Sequence, residues 1–134
     1  MRKLLFIASA VAFFAISCSK DQSAVRKLDG TWTLKSATAD GEDFDTEGIT
    51  FTLKFEKCKV KNEDCSGSWT QKIEGFDEQS SNFTYTVTDK GETIKITDED
   101  SDDADESKIT ELTKDKLVVE STESGVVWVR TFEQ

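Results

Sequence analysis

Histidine and proline are both absent from the 134-residue sequence, and the lack of histidine restricts the possible chemistry. Ser–His and Cys–His nucleophile pairs, and metal sites built on histidine, are excluded. A glycine-rich phosphate loop is also missing. Carboxylates are plentiful, but they lie in exposed acidic segments that give no pair of them separate roles as acid and base. The sequence therefore predicts a protein that is not an enzyme and that carries no cofactor.

Basic residues are scarce as well. The 17 lysines and arginines stand against 27 acidic residues, which gives a formal net charge of −10. This balance argues against nucleic acid as a partner, because its phosphates would be repelled. It argues equally against electrostatic docking on anionic lipid. Attachment to a membrane would therefore need a covalent anchor.

The N-terminus has the order of regions that is typical of a secretion signal. Met1-Arg2-Lys3 is basic, and a mostly apolar run from Leu4 to Ile16 follows. This run is too short to span a bilayer comfortably. The segment Ala15-Ile16-Ser17-Cys18 resembles a lipobox, in which a diacylglycerol is attached to the cysteine thiol before cleavage. An ordinary cleaved signal and a retained transmembrane anchor are the alternatives.

We therefore predict a signal peptide over residues 1–17, a lipidated polar tether over residues 18–27 and one domain over residues 28–134. Removal of the signal takes Arg2 and Lys3 with it and lowers the formal charge to −12. Acyl chains on Cys18 would hold the protein on a membrane, since each buried CH₂ contributes about 0.8 kcal/mol.

The residues after Cys18 bear on the membrane to which the protein is sorted. Ser19 stands where aspartate would retain a lipoprotein at the inner membrane, so we expect the outer membrane. Lys20-Asp21 matches only in part the acidic cluster that is associated with surface export. The periplasmic and the surface orientation both stay open.

Only three cysteines are present. Once Cys18 is acylated, Cys58 and Cys65 remain as an even pair in an exported chain, and we expect them to form a disulfide. Two thiols without histidine fall short of the four ligands of a structural zinc site, so no metal site is predicted.

From residue 28 onward the chain consists of short segments rich in Thr, Val, Ile, Phe and Trp, separated by Gly, Asp, Asn and Ser, as is typical of antiparallel strands. Eight strands are predicted, at about residues 30–38, 49–59, 66–74, 82–88, 92–98, 106–113, 116–122 and 125–132. Tight turns are expected at Asp89-Lys90-Gly91, Thr113-Lys114-Asp115 and Glu123-Ser124-Gly125. An all-β, eight-stranded, up-and-down antiparallel barrel avoids open edges best. Another β-sandwich or a partly open barrel is the alternative.

Alternating apolar residues identify the inward faces of several strands. They are core residues or line a ligand: Phe51, Leu53, Phe55, Phe83, Tyr85, Ile94 and Ile96. Two places resist this parity. A direct pairing of Cys58 with Cys65 would turn Trp69 outward unless a bulge at Gly67 turned it back. In the last strand the odd-numbered and the even-numbered residues compete for the interior.

The first strand carries the feature that suggests a family. Leu28-Asp29-Gly30-Thr31-Trp32 resembles the Gly-x-Trp signature of lipocalins, and with the signal and Cys18 the chain is similar to the lipocalin-like lipoproteins of Bacteroidetes-type bacteria. The resemblance covers roughly residues 28–133. It implies that Gly30 and Trp32 lie at the closed end of the barrel, with Arg130 of the final strand stacked on Trp32. It also implies that a small apolar molecule binds inside the barrel.

Three functions follow as hypotheses. The first is a non-catalytic module that binds a small apolar molecule at the outer membrane. The second is an envelope accessory protein with a filled barrel and an unknown protein partner. The least favoured is a barrel that inhibits a protease with its N-terminal segment or its loops.

The acidic run from Asp98 to Glu106 is the other conspicuous feature. Asp98, Asp100 and Asp102 fit the first positions of a calcium loop, but Asp103 replaces the required glycine and Ile109 the bidentate glutamate. The run is not an EF-hand. We expect a solvated, mobile loop between two strands, with weak calcium binding as the lesser alternative.

Overall fold

The computed structural model describes residues 12–58, 65–101 and 103–134. Most of the predicted signal peptide, residues 1–11, lies outside the described residues. One helix precedes nine strands: α1 (Ala12–Leu28), β1 (Gly30–Ala39), β2 (Glu42–Phe44), β3 (Ile49–Phe55), β4 (Cys65–Ile73), β5 (Gln79–Thr88), β6 (Thr93–Asp98), β7 (Ala104–Leu112), β8 (Lys116–Glu123) and β9 (Val126–Glu133). Within the described residues, no helix is both long and apolar enough to cross a membrane.

The strands form a closed antiparallel barrel. From β3 to β9 each strand pairs with the next one along the chain, and β9 pairs back onto β1 over residues 33–39 of β1. Eight long strands make up the wall, so the predicted up-and-down barrel is confirmed. Closure gives each long strand two neighbours, which removes the exposed edges that an open sheet would present.

The short strand β2 is an addition to the predicted set. It forms a hairpin with the end of β1, with Ala37 opposite Phe44. The hairpin turns at Asp40-Gly41, where both residues have positive φ, at 49° and 83°. An Asp–Gly dipeptide favours this two-residue turn, so the signal for β2 was present in the sequence. In the predicted turn Glu123-Ser124-Gly125, Ser124 and Gly125 also have positive φ, at 51° and 80°.

Helix α1 closes one end of the barrel. The side chains of Ala24, Val25 and Leu28 are buried in the core, and the Asp21 carboxylate accepts a hydrogen bond from the Gly91 amide at 2.7 Å. The segment that was predicted as a polar tether is therefore helical, and its second half packs on the domain. Two apolar residues of this segment, Ala24 and Val25, lie with the following Leu28 on the face that meets the barrel. The polar residues around them made this apolar face hard to recognise in the sequence.

Trp32 lies against this helix with no exposed surface. Its indole Nε1 donates a hydrogen bond of 2.8 Å to the carbonyl oxygen of Leu28, the last residue of α1. A buried indole N–H needs such a partner, because leaving it unpaired would cost about 1–3 kcal/mol. Trp32 therefore joins the helix to the first strand and lies at the closed end, as the resemblance implied.

The pairing of β3 with β4 resolves one uncertainty of the sequence. Phe55 lies opposite Gly67 and Leu53 opposite Trp69, so Trp69 faces inward without a bulge. The strand register that would place Cys58 directly opposite Cys65 is thus wrong by one residue. The predicted disulfide is confirmed, and it joins the two strands beyond the end of β3 with a Cα–Cα distance of 5.5 Å.

Gly67 faces the interior, and the space that a side chain would need is filled. A Cβ placed on Gly67 would overlap the Phe83 ring and lie 2.6 Å from the carbonyl oxygen of Lys54. A backbone carbonyl cannot move aside without breaking the sheet. Gly67 is therefore the position where β4 allows Phe83 to fill the closed end of the barrel.

We expect Gly67→Ala to lower the free energy of unfolding by roughly 1–3 kcal/mol, the usual range for overpacking a core. Urea unfolding followed by tryptophan fluorescence measures this change. Ser66→Ala is the matched control, because Ser66 is exposed on the neighbouring outward-facing position and its loss should change stability by less than about 0.5 kcal/mol. Equal stability of the Gly67→Ala variant and the unmodified protein would contradict the packing argument.

Candidate ligand-binding cavity

The barrel encloses a cavity of about 510 Å³ that opens at the end opposite α1. Its wall is mostly apolar, and each of the nine strands or its flanking turn contributes to it. The residues that line it are Leu34, Ala37, Phe44, Thr46, Ile49, Phe51, Leu53, Phe55, Trp69, Gln71, Phe83, Ile94, Ile96, Asp98, Asp105, Ser107, Leu117, Val119, Ser121, Glu123, Trp128, Arg130 and Phe132.

Three aromatic side chains fill the barrel at the floor of this cavity. The ring centroid of Phe55 lies 4.9 Å from that of Tyr85 and 5.7 Å from that of Phe83, both in edge-to-face contact. Such pairs contribute beyond the area they bury, by about 0.5–1.5 kcal/mol each. The floor is therefore a closely packed and buried aromatic cluster, and the space above it is enclosed by the upper halves of the strands.

Tyr85 belongs to the floor and not to the lining. Its hydroxyl donates to the carbonyl oxygen of Glu56 at 3.2 Å. Burial, together with the nearby charges of Asp29 and Glu56, raises the pKa of Tyr85 to about 12. The phenol thus stays protonated at neutral pH and can donate its hydroxyl hydrogen to that carbonyl oxygen. The other six residues that the sequence suggested as lining or core all face the cavity: Phe51, Leu53, Phe55, Phe83, Ile94 and Ile96.

The middle of the cavity has an aromatic wall on one side. Phe51 stacks on Trp69 with a centroid distance of 6.2 Å and lies 6.3 Å from Phe132. Irregularities in the strands add to this wall. The register of β1 against β9 shifts between Leu34 and Ser36, so that Leu34 and Ala37 both point into the cavity.

The last strand presents its even-numbered residues to the interior. Trp128, Arg130 and Phe132 line the cavity, which settles the parity that the sequence left open. The expected stacking of Arg130 on Trp32 is wrong. Arg130 lies opposite Ala37, in the upper half of β1, whereas Trp32 lies near the start of that strand and below the cavity. The resemblance correctly implied that Arg130 belongs to the final strand, but the residue lies nearer the open end of the barrel than the resemblance implied.

Arg130 has its own partners near the mouth. Its guanidinium carbon lies 5.0 Å from the ring centroid of Trp128, and its nitrogens reach the Ser121 hydroxyl at 3.1 Å and the Glu123 carboxylate at 3.2 Å. Its side chain is 29% exposed. Stacking, a hydrogen bond and an ion pair together fix the guanidinium against the wall of the cavity.

Two more carboxylates line the mouth on the side of β6 and β7. Asp98 ends β6, and its carboxylate accepts hydrogen bonds from the Asp100 amide at 2.9 Å and the Trp69 indole at 3.3 Å. The Ser81 hydroxyl, which has a single proton to donate, lies 3.0 Å from the Asp98 carboxylate and 2.8 Å from that of Asp100, so the two carboxylates share it. The bond from the Asp100 amide, followed by those from Ser81 and Trp69, lowers the pKa of Asp98. Asp105 lies opposite Ile96, so its side chain shares the inward face with that of Asp98.

The loop within the acidic run is thus shorter than the sequence indicated. Strand β7 begins at Ala104, and Asp98 belongs to β6, so the connection covers only residues 99–103, of which Asp102 lies outside the described residues. The described residues contain no group of three or more acidic or cysteine side chains that is placed to hold a metal ion. Asp98 and Asp105 were not predicted as lining residues, because the prediction followed the alternation of apolar residues and charged residues at strand ends normally face water.

Large apolar side chains are exposed around the mouth. Phe44 of β2 is 47% exposed and contacts Trp128 edge to face, with a centroid distance of 5.3 Å. Ile73 and Phe76 are exposed at the turn between β4 and β5. The mouth of the cavity is therefore ringed by both apolar and acidic groups.

Several solved structures have the same fold. A lipocalin-like protein from Bacteroides uniformis is 17% identical with a TM-score of 0.60, and the similarity covers 81% of this chain and 98% of that one. An uncharacterised protein from Bacteroides eggerthii is 16% identical with a TM-score of 0.54, over 80% and 98% of the two chains. Japanin from Rhipicephalus appendiculatus, bound to cholesterol, is 9% identical with a TM-score of 0.55, over 78% and 74%.

Sequence comparison gives a more specific result than these structures do. Among curated proteins, none matches the sequence of this chain. The family model of the lipocalin-like domain matches residues 28–119, which is well over half of the chain and includes the Gly-x-Trp motif at Gly30 and Trp32. The chain therefore belongs to the family of lipocalin-like domains.

Proposed function

We propose that this protein is a non-catalytic binding module that holds a small apolar molecule inside its barrel. The observation that carries the proposal is the cavity of about 510 Å³. Ligand pockets in proteins span about 300–1,000 Å³ and are lined mostly by apolar and aromatic side chains. This cavity meets both conditions.

The cavity favours this function over the two alternatives. An accessory protein with a filled barrel would have side chains in the space that is open here. A protease inhibitor would need a protruding segment, and no observation on the described residues supports one. Japanin, which shares the fold at low identity, is bound to cholesterol, and a sterol-sized apolar ligand is consistent with the volume of the cavity.

We further propose that the protein is anchored to the outer membrane through acyl chains on Cys18. The lipobox-like Ala15-Ile16-Ser17-Cys18 supports this proposal, as do the basic start and the apolar run before it.

A neutral apolar dye tests the cavity. We expect N-phenyl-1-naphthylamine to bind with a rise in its fluorescence, and we expect Ser107→Phe to weaken binding by about tenfold or more, because a benzyl group on this lining position occupies the cavity. Ser107→Ala is the control, since it removes only a hydroxyl and should bind the dye as the unmodified protein does. Native mass spectrometry of the purified protein should also detect a bound apolar molecule. Unchanged dye binding in the Ser107→Phe variant would place the dye outside the barrel and contradict the proposal.

Metabolic labelling tests the anchor. When the full gene is expressed in a bacterium that is fed radiolabelled palmitate, the protein should carry label and sediment with the membranes. Cys18→Ser should abolish both, because the thiol is the point of attachment. The double variant Cys58→Ser/Cys65→Ser is the matched control and should stay labelled. Label that persists in the Cys18→Ser protein would show that the anchor lies elsewhere.

A further inference from the structure

The cavity changes from apolar to acidic between its floor and its mouth. The floor is made by Phe55 and Phe83, which are almost completely buried. The charged residues that line the cavity are three carboxylates and one guanidinium, and all four lie towards the mouth. A ligand that fills the barrel would therefore place its apolar part among aromatic rings and its exposed end among negative charges.

The single guanidinium does not offset this charge. Arg130 is held at 3.2 Å by Glu123, so that pair is neutral as a unit. In the part of the chain that the structure describes, no salt bridge involves Asp98 or Asp105. The excess negative charge of the lining thus lies on the β6 and β7 side of the mouth.

These two carboxylates lie on neighbouring strands and line the same cavity. Asp98 ends β6 and Asp105 lies near the start of the neighbouring β7, on the same inward face of the sheet. The bonds from the Asp100 amide and the Trp69 indole hold the Asp98 carboxylate in place, and Trp69 itself lines the cavity. A ligand stacked on Trp69 therefore lies next to a fixed anionic group.

We infer that the ligand of this cavity is an apolar molecule that carries a cationic group, such as an amine, and that Asp98 and Asp105 bind this group at the mouth. The inference rests on the proposed binding function. A fatty acid is disfavoured, because its carboxylate would have to displace Glu123 from Arg130 in a cavity that is also lined by Asp98 and Asp105. Charge-assisted hydrogen bonds from an ammonium to a fixed carboxylate provide the selectivity.

The test compares three probes with the same chain and different head groups: n-octylammonium, n-octanol and n-octanoate. Their dissociation constants are measured by titration calorimetry at low salt, on the full chain carrying Cys18→Ser so that no acyl chain competes. We expect the ammonium to bind about fivefold more tightly than the alcohol, and the carboxylate to bind about tenfold more weakly than the ammonium. The preference should shrink at 1 M salt, where the Debye length is about 3 Å.

A pair of variants assigns the effect to the mouth. Asp98→Asn/Asp105→Asn should bind octylammonium about fivefold more weakly, and octanol less than about twofold more weakly, because the neutral alcohol loses no charge pairing. An unchanged circular dichroism spectrum shows that the barrel is folded. Asp43→Asn/Asp77→Asn is the matched control. It removes two exposed carboxylates from the same end of the barrel but outside the lining, and we expect it to retain the preference for the ammonium.

The outcomes separate the inference from the proposed function. If octanol binds and the ammonium binds no better, or if the preference survives in Asp98→Asn/Asp105→Asn, the inference is overturned while the binding module stands. If octanoate binds best and Arg130→Gln abolishes that binding, the ligand is an anion and the inference is overturned again. If none of the three probes binds, the proposed function fails as well.

Discussion

Pairing between the first and the last long strand is the constraint on which the rest of the structure depends. Strand β9 hydrogen-bonds to the upper part of β1 and to all of β8, while the lower part of β1 pairs with β3. Without this closure, the sheet would have two open edges and an apolar face exposed to water. With it, the alternating apolar residues of eight strands face one enclosed interior. Both the core and the cavity are consequences of the same ring of hydrogen bonds.

The interior is filled at one end only, and the reason lies in which side chains occupy each level. Trp32, Phe55, Phe83 and Tyr85 fill the closed end, and Gly67 provides the room for Phe83. Helix α1 then covers them. At the other end the inward positions include small or polar residues such as Ala37 and Ser107, which leave space. One end of the barrel therefore provides stability and the other provides a site.

In the folded protein, part of the excess negative charge of the chain lies at the open end of the barrel. Several carboxylates lie at the open end, where the strands have left the core and water is available, so they cost little in desolvation. Asp98 is nevertheless held by hydrogen bonds from the Asp100 amide and the Trp69 indole, and it borders the aromatic wall through Trp69. A charge that is held next to an apolar surface can recognise a ligand in a way that a freely moving surface charge does not.

The sequence by itself determined the number and approximate limits of the long strands and most of the cavity wall, because strand periodicity and turn chemistry are local properties. The disulfide was expected from the one pair of cysteines that remains after Cys18, and the closed end at Trp32 was implied by the resemblance to lipocalins. Only the tertiary structure decided the one-residue register of β3 with β4, the inward direction of Trp69, the height of Arg130 in the barrel and the packing of α1. These depend on which residue lies opposite which across different strands. A shift of one residue leaves the local pattern of a strand unchanged but reverses the face that each side chain occupies relative to its neighbour. For the same reason Asp98 and Asp105 are recognisable as lining residues only after the barrel has closed.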